Sequence, residues 1–144
     1  MTLNEQKVAS LNERMHGFAS YCGIVYDDIQ KDHCLISCPL KPEFRNPAGI
    51  AHGGMIATIL DVVSGMMALE ADDWTHNIVT QNCNIHYLRP AAGERLWAES
   101  HTVRKGNRVC VVRSDCFSDD GQLAATATYE IAYLGMRTEV PDRS

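Results

Sequence analysis

From Met55 to Leu69 the chain reads Met-Ile-Ala-Thr-Ile-Leu-Asp-Val-Val-Ser-Gly-Met-Met-Ala-Leu. Wound as a helix, this run is apolar on nearly every side, and such a helix cannot lie on a protein surface. A sheet has to curl around it. Within the run sits one carboxylate, Asp61. Burying an unpaired carboxylate is costly, so Asp61 needs a hydrogen-bond donor close by or a part in chemistry.

The run follows directly on a turn, Asn46 to Gly54, that reads Asn-Pro-Ala-Gly-Ile-Ala-His-Gly-Gly. The glycines predict a helix start near Gly53. Asp72 and Asp73 oppose the helix dipole and predict its end at about Ala71. Ahead of it, Leu3, Val8, Leu11 and Met15 recur at helical spacing, and 23–30 and 34–40 read as two strands. Behind it, 77–88, 95–105, 108–118 and 122–134 read as four strands. The turn residues between them sit at hairpin spacing and predict a four-strand antiparallel meander. The fold class is α+β: an antiparallel sheet wrapped around a long central helix, the hotdog fold. Residues 1–136 form one domain, and the polar stretch 137–144 reads as a flexible tail.

With 144 residues, 45% of them hydrophobic, the chain is large enough to bury a real core. Its net charge of −5 argues against a nucleic-acid partner. The N-terminus lacks the basic and apolar segments of a secretory signal, and the apolar run, broken by polar residues, is short for a bilayer. These features predict a soluble, cytoplasmic protein with no membrane partner. None of the six cysteines forms a C-x-x-C pair; Cys34/Cys38 and Cys110/Cys116 read as reduced thiols inside strands. His16, His33, His76, His86 and His101 are scattered, no pair has metal-ligand spacing, and no metal is predicted.

Gly54, Thr58, Asp61 and Gly65 fall at spacings of four, three and four, so they share one helix face. That narrow stripe is free to meet a ligand or another subunit. At the helix start, Gly53 and Gly54 offer N–H groups that lack intrahelical partners, a site for developing negative charge. Gly53 and Asp61 lie about 12 Å apart along the axis at a rise of about 1.5 Å per residue. A nucleophile and an oxyanion donor must both sit within about 3 Å of one carbonyl group. If the two residues act together, Asp61 comes from a second copy of the chain, and a symmetric dimer follows.

Asn46, Gly49, His52, Gly53, Gly54 and Asp61, followed by Thr80 and by Tyr87, Leu88, Arg89, Pro90 and Ala91, resemble the PaaI-type hotdog acyl-CoA thioesterases. The resemblance spans roughly residues 15–135. It implies that the Gly53 N–H polarises the thioester carbonyl and that Asp61 of the partner subunit attacks or activates water. It further implies that Asn46 places the thioester or the water, that Thr80 orients the water, and that His52 shapes the loop and joins the catalytic set by touching the thioester. Gly54 and Arg89 join the substrate site, and the basic hairpin Arg104, Lys105 and Arg108 is a candidate for the phosphates of coenzyme A. Coenzyme A is then part of the substrate and no resident cofactor is implied. The assembly implied is a homodimer that pairs into a homotetramer.

The acyl group stays open between aryl or arylacetyl and medium-chain. Two other functions compete. One is a hotdog hydratase or dehydratase, which needs a histidine for proton transfer. The other is a non-catalytic acyl-CoA-binding protein. Plainer roles also stand beside the catalytic ones: Asp61 as a structural carboxylate, Asn46 as a turn former and Thr80 as an ordinary strand residue.

Overall fold

The computed structural model describes residues 1–138. Helix α1 (Leu3–Arg14) opens on a capping box, with the Thr2 hydroxyl accepting from the Glu5 N–H and the Glu5 carboxylate accepting from the Thr2 N–H. A short α2 (Gly17–Tyr21) follows, not anticipated from the sequence, then strands β1 (Val25–Ile29) and β2 (Cys34–Pro39). The long helix α3 (Gly53–Ala71) leads to β3 (His76–Tyr87), β4 (Arg95–Lys105), β5 (Val109–Phe117) and β6 (Leu123–Met136).

The six strands form one sheet, in the order β1-β2-β4-β5-β6-β3, with every neighbouring pair antiparallel. Along β4, Leu96, Ala98 and Ser100 turn inward; along β5, Cys110, Val112, Ser114 and Cys116; along β6, Ala125, Ala127, Tyr129 and Ile131. Most of these side chains are small, and Ile59, Leu60, Val63 and Met67 of α3 fill the space they leave. Two hydroxyls are satisfied inside this layer: Ser100 donates to the Val63 carbonyl at 2.8 Å, and Ser64 donates to Ser114 at 3.0 Å. Burial pushes the Cys34, Cys38 and Cys116 thiols up to about 12, so at neutral pH they pack as small protonated hydrophobes.

The predicted four-strand meander is corrected. β4, β5 and β6 are consecutive, but β3 pairs with β6 at the far edge and β2 takes the place beside β4. The segment between β3 and β4 closes no hairpin because its backbone is used elsewhere. The Ala91 carbonyl accepts from the Ala51 N–H, and the Glu94 carbonyl accepts from the Leu40 N–H, both at 2.8 Å. These bonds draw the start of β4 to the end of β2.

The expectation that Asp61 is buried is also corrected: it is exposed. The sheet encloses α3 on one side only, and the stripe bearing Gly54, Thr58, Asp61 and Gly65 faces out. The buried acid of α3 is Glu70, 5% exposed. It accepts from Lys7 of α1 at 2.6 Å and from the Trp74 indole at 2.9 Å, which ties α1 to the end of α3. At 19 residues α3 matches a membrane span by length and composition, contrary to the sequence expectation, yet most of it is buried against the sheet.

The two sheet edges differ. Along β1, Asn12 of α1 stands in for a neighbouring strand, accepting from the Tyr26 N–H at 2.8 Å and donating to its carbonyl at 2.9 Å. Among the described residues β3 has no such cover, and its side chains are exposed along nearly its whole length. Arg137, in the predicted tail, donates its N–H to the Thr75 carbonyl and lays its guanidinium over Trp74. The rest of that tail, 139–144, lies outside the described residues.

Asp72 caps the turn after α3. Burial pushes its carboxyl up, but the backbone and ring of His76 and the Lys105 ammonium outweigh burial and hold it below its ordinary value. A carboxyl lowered on folding stabilises the protein above its unfolded value of 3.8, and that contribution fades as pH falls through the folded value. Asp72→Asn is therefore expected to cost about 1–2 kcal/mol at neutral pH. Its deficit should shrink in acid, as read from urea unfolding midpoints between pH 7 and pH 3.

Candidate active site

The start of α3 can be accounted for donor by donor. Of its first four N–H groups, Gly54 donates to His52 Nδ1 at 2.9 Å, and Met55 and Ile56 donate to the His52 carbonyl at 2.9 and 3.1 Å. The Gly53 N–H alone has no acceptor among the described residues. The sequence expectation of two free glycine amides is thus narrowed to one. His52 is the N-cap, and its Nδ1 is committed to holding the helix start.

Tyr87 lies against Gly53. Its hydroxyl donates to the Gly53 carbonyl at 2.9 Å, and a Cβ on Gly53 would meet its ring at 3.5 Å. This contact links the end of β3 to the start of α3 and is not legible as a site contact in the sequence. A cleft beside it is lined by Ile50, Gly53, Ile56, Tyr87, Leu88 and Arg89. Arg89 is exposed there and donates to Gln122.

Asn46 spends its side-chain oxygen locally, accepting from the N–H groups of Ala48 at 3.0 Å and Ile50 at 3.3 Å. It thereby shapes the loop that delivers His52 and Gly53.

Asp61 is partnered by Thr80 of β3, whose hydroxyl donates to Asp61 Oδ1 at 2.7 Å. That bond fixes the carboxylate's direction and leaves Oδ2 for another group. Asp61 lines a cleft of about 440 Å³ together with Phe18, Ala57, Val62, Cys83 and Tyr129. Tyr129 donates to the Ala57 carbonyl at 3.3 Å, and burial pushes its phenol well above the ordinary range. Cys83 is exposed, unlike the other cysteines. The clefts that Asp61 lines do not include Gly53, and the Gly53 cleft does not include Asp61.

The basic hairpin sits at the opposite end of α3 from Gly53. Lys105 pairs with Asp72 at 3.3 Å and lies over the Tyr133 ring. A helix of 19 residues is roughly 28 Å long, so within one protomer Arg104, Lys105 and Arg108 are far from Gly53, whereas Arg89 is close.

The model of the thioesterase superfamily matches residues 48–125, more than half of the chain and all of the α3 region. The chain belongs to the thioesterase superfamily. Among its relatives is the medium/long-chain acyl-CoA thioesterase YigI of Escherichia coli, 34% identical over 98 residues, which are 57% of this chain and 63% of YigI. The match thus spans less than two thirds of that protein. Of solved structures, a phenylacetic acid degradation-related protein of Ralstonia eutropha is 30% identical with a TM-score of 0.73, covering 79% of this chain and 87% of that one. A Streptococcus mutans protein solved with acetyl CoA is 25% identical with a TM-score of 0.75, covering 86% and 96%. The superfamily match accounts for the fold and for the glycine turn ahead of α3.

His52→Ala is expected to remove the cap and cost about 1 kcal/mol, while His52→Asn, which keeps an acceptor, should recover most of it. Denaturant unfolding of the two variants checks this.

Proposed function

We propose that this protein hydrolyses acyl-CoA thioesters to the free acid and coenzyme A, at two equivalent sites shared across a twofold dimer. One observation carries the reading. A single unpaired N–H at Gly53 and an oriented carboxylate at Asp61 lie on the same helix, about 12 Å apart, and open into different clefts. Neither cleft holds both halves of a hydrolytic site. A twofold axis near Ala57, running α3 antiparallel to its copy, brings Gly53 of one chain to Asp61 of the other. Gly54, Ala57 and Thr58 are small enough for that approach, and the bare edge of β3 supplies a surface for strand pairing.

In the proposed reaction the Gly53 N–H, at the positive end of α3, takes the thioester oxygen and stabilises the negative charge that develops on it. Asp61 of the partner subunit attacks the carbonyl carbon or takes the proton from an attacking water. Thr80 aims that carboxylate, a role one step back from orienting the water itself. The C–S bond then breaks and coenzyme A leaves as the thiolate; where Asp61 has attacked, water then hydrolyses the acyl anhydride to release the acid and regenerate the carboxylate. A thiol of pKa about 8.5 leaves without strong acid assistance, so the sparse set of groups suffices. The route calls on no resident cofactor.

The apolar cleft beside Asp61 suits a medium-chain or arylacetyl group, a range that takes in the chemistry named for YigI and for the Ralstonia protein. Arg89 sits on the Gly53 side for a coenzyme A phosphate. In the antiparallel pair the Arg104 and Arg108 hairpin of the partner extends past the same end. Buried, reduced cysteines suit a cytoplasmic enzyme, and we include pairing of two dimers into a tetramer in the reading.

Gly53→Pro tests the donor cleanly. Proline is favoured at the first helical position, and the preceding His52 is already extended at φ −62° and ψ 139°. It should lower kcat on octanoyl-CoA or phenylacetyl-CoA by about 10²–10³-fold with little change in melting temperature. Asp61→Asn should lose at least about 100-fold while still binding substrate. Mixing the two inactive variants and letting subunits exchange should restore about a quarter of wild-type activity, since half of the dimers then carry one intact site. No recovery on mixing, with exchange verified by mass, would end the shared-site reading. The same thiol-release assay across straight-chain and aryl substrates assigns the acyl class.

A further inference from the structure

We infer that the convex face of the sheet carries a binding site for one zinc-class divalent ion, held by His33, Glu99 and His101. Along β4, Ala98 and Ser100 face α3, so Glu99 and His101 point to the opposite face, away from the Gly53 and Asp61 clefts. Cys34 pairs with Ser100, which sets His33 beside His101 across the β2–β4 ladder. The two imidazole rings lie 4.8 Å apart, inclined at 39°. One ligand atom from each of the three residues lies within 4.8 Å of the others.

The surroundings select the ligating atoms. His101 Nδ1 lies 3.3 Å from the Asp32 carbonyl, and His33 Nδ1 faces an Asp28 carboxylate oxygen at 3.8 Å. With the proton on Nδ1 in both rings, each Nε2 presents a lone pair, the arrangement second-sphere acceptors impose on metal-bound histidines. His33 Nε2 lies 3.2 Å from Glu99 Oε2, a hydrogen bond when the proton sits on Nε2. A divalent cation takes that proton's place between the two ligands and engages His101 as well, the ring proton moving to Nδ1 beside Asp28. Asp115 stands directly opposite Glu99 in the β4–β5 register, and its Oδ1 is buried with no hydrogen-bond partner. It is the residue available to the fourth position, directly or through water. Arg113, opposite His101, is the neighbouring cation on this face.

Imidazole and carboxylate together suit zinc and its neighbours rather than calcium or magnesium. Metal bonds of about 2.0–2.1 Å require the ligand atoms to draw in by about half an ångström, within reach of side-chain rotation at an exposed His101. A bound ion would clip the β1–β2 turn to β4, a structural role separate from thioester hydrolysis. Spacing along the chain does not reveal the site, because His33 and Glu99 are 66 residues apart and only the register of β2 on β4 joins them.

The test uses the full chain stripped with a chelator and titrated with zinc chloride against a chromophoric competitor, and with cobalt(II) for its visible spectrum. One ion per chain should bind. His33→Gln and His101→Gln should each weaken binding at least about tenfold and together abolish it, while Asp61→Asn binds as wild type. Asp115→Asn should weaken binding less than either histidine variant. Zinc at about a hundredfold excess over Kd should raise the wild-type melting temperature by about 5 °C and leave the double variant unmoved. Matching metal-free melting curves show that the variants fold. Absence of saturable binding would overturn the inference, and so would binding or a cobalt spectrum that survives in the double variant.

Discussion

The sheet wraps α3 on one side and leaves the other bare. Its buried half is fixed by volume: small inward residues on β4, β5 and β6 admit the branched and thioether side chains of the helix. Its open half is fixed by the stripe of Gly54, Thr58, Asp61 and Gly65, which offers too little bulk to block an approaching helix. A helix enclosed on all sides would have to neutralise Asp61. A helix open on one side leaves it in solvent and aims it with a single hydroxyl, that of Thr80. The placement of β3 makes this possible. Because β3 crosses to the far edge and pairs with β6, Thr80 and Tyr87 reach the open side of α3, one toward Asp61 and one onto Gly53. A β3 paired to β4 would sit elsewhere in the sheet and could supply neither contact.

The same economy governs the helix start. Four N–H groups emerge there without intrahelical partners, and an enzyme needs at least one of them free while the helix needs the others satisfied. His52 resolves the conflict by serving twice, ring nitrogen to Gly54 and carbonyl to Met55, while its own N–H donates to the Phe44 carbonyl. Asn46 acts a step earlier, shaping the loop from which His52 emerges. Together they decide which amide is left over.

Features carried by local signals were legible in the chain. The bounds of α3 follow from the glycine pair and from the acids that end it, and those of β4 follow from flanking turns. The stripe on α3 follows from periodicity alone. Features that depend on distant pairing were not legible. Turn spacing suggests that β3 neighbours β4, but the bonds that overrule it join Ala91 to Ala51 and Glu94 to Leu40, segments far apart in sequence. Periodicity identifies the face on which Asp61 lies, but not whether anything covers that face. Glu70 is the acid that pays the cost of burial, and its partner Lys7 comes from the first helix. In the candidate site, Gly53, Asp61 and Thr80 could be named from the sequence. The contact of Thr80 with Asp61 and the seat of Tyr87 on Gly53 needed the crossing of β3.

The bare edge of β3 bears on assembly. A long exposed edge strand is an aggregation hazard unless something blunts it. At the other edge, α1 blunts β1 by presenting the Asn12 amide to the Tyr26 backbone. Among the described residues no helix covers β3, it has no proline and no lysine along its length, and Tyr87 at its end and Leu88 just beyond are both about half exposed. An edge left so bare beside an uncovered stripe of small residues on α3 is best explained if both meet the same partner. A twofold copy answers both at once, because strand pairing along β3 and close approach along α3 can share one axis. The separation of Gly53 from Asp61 leads to the same arrangement from chemistry alone. Strand edge, helix stripe and divided site are three separate constraints, and the proposed symmetric pair of chains meets all of them.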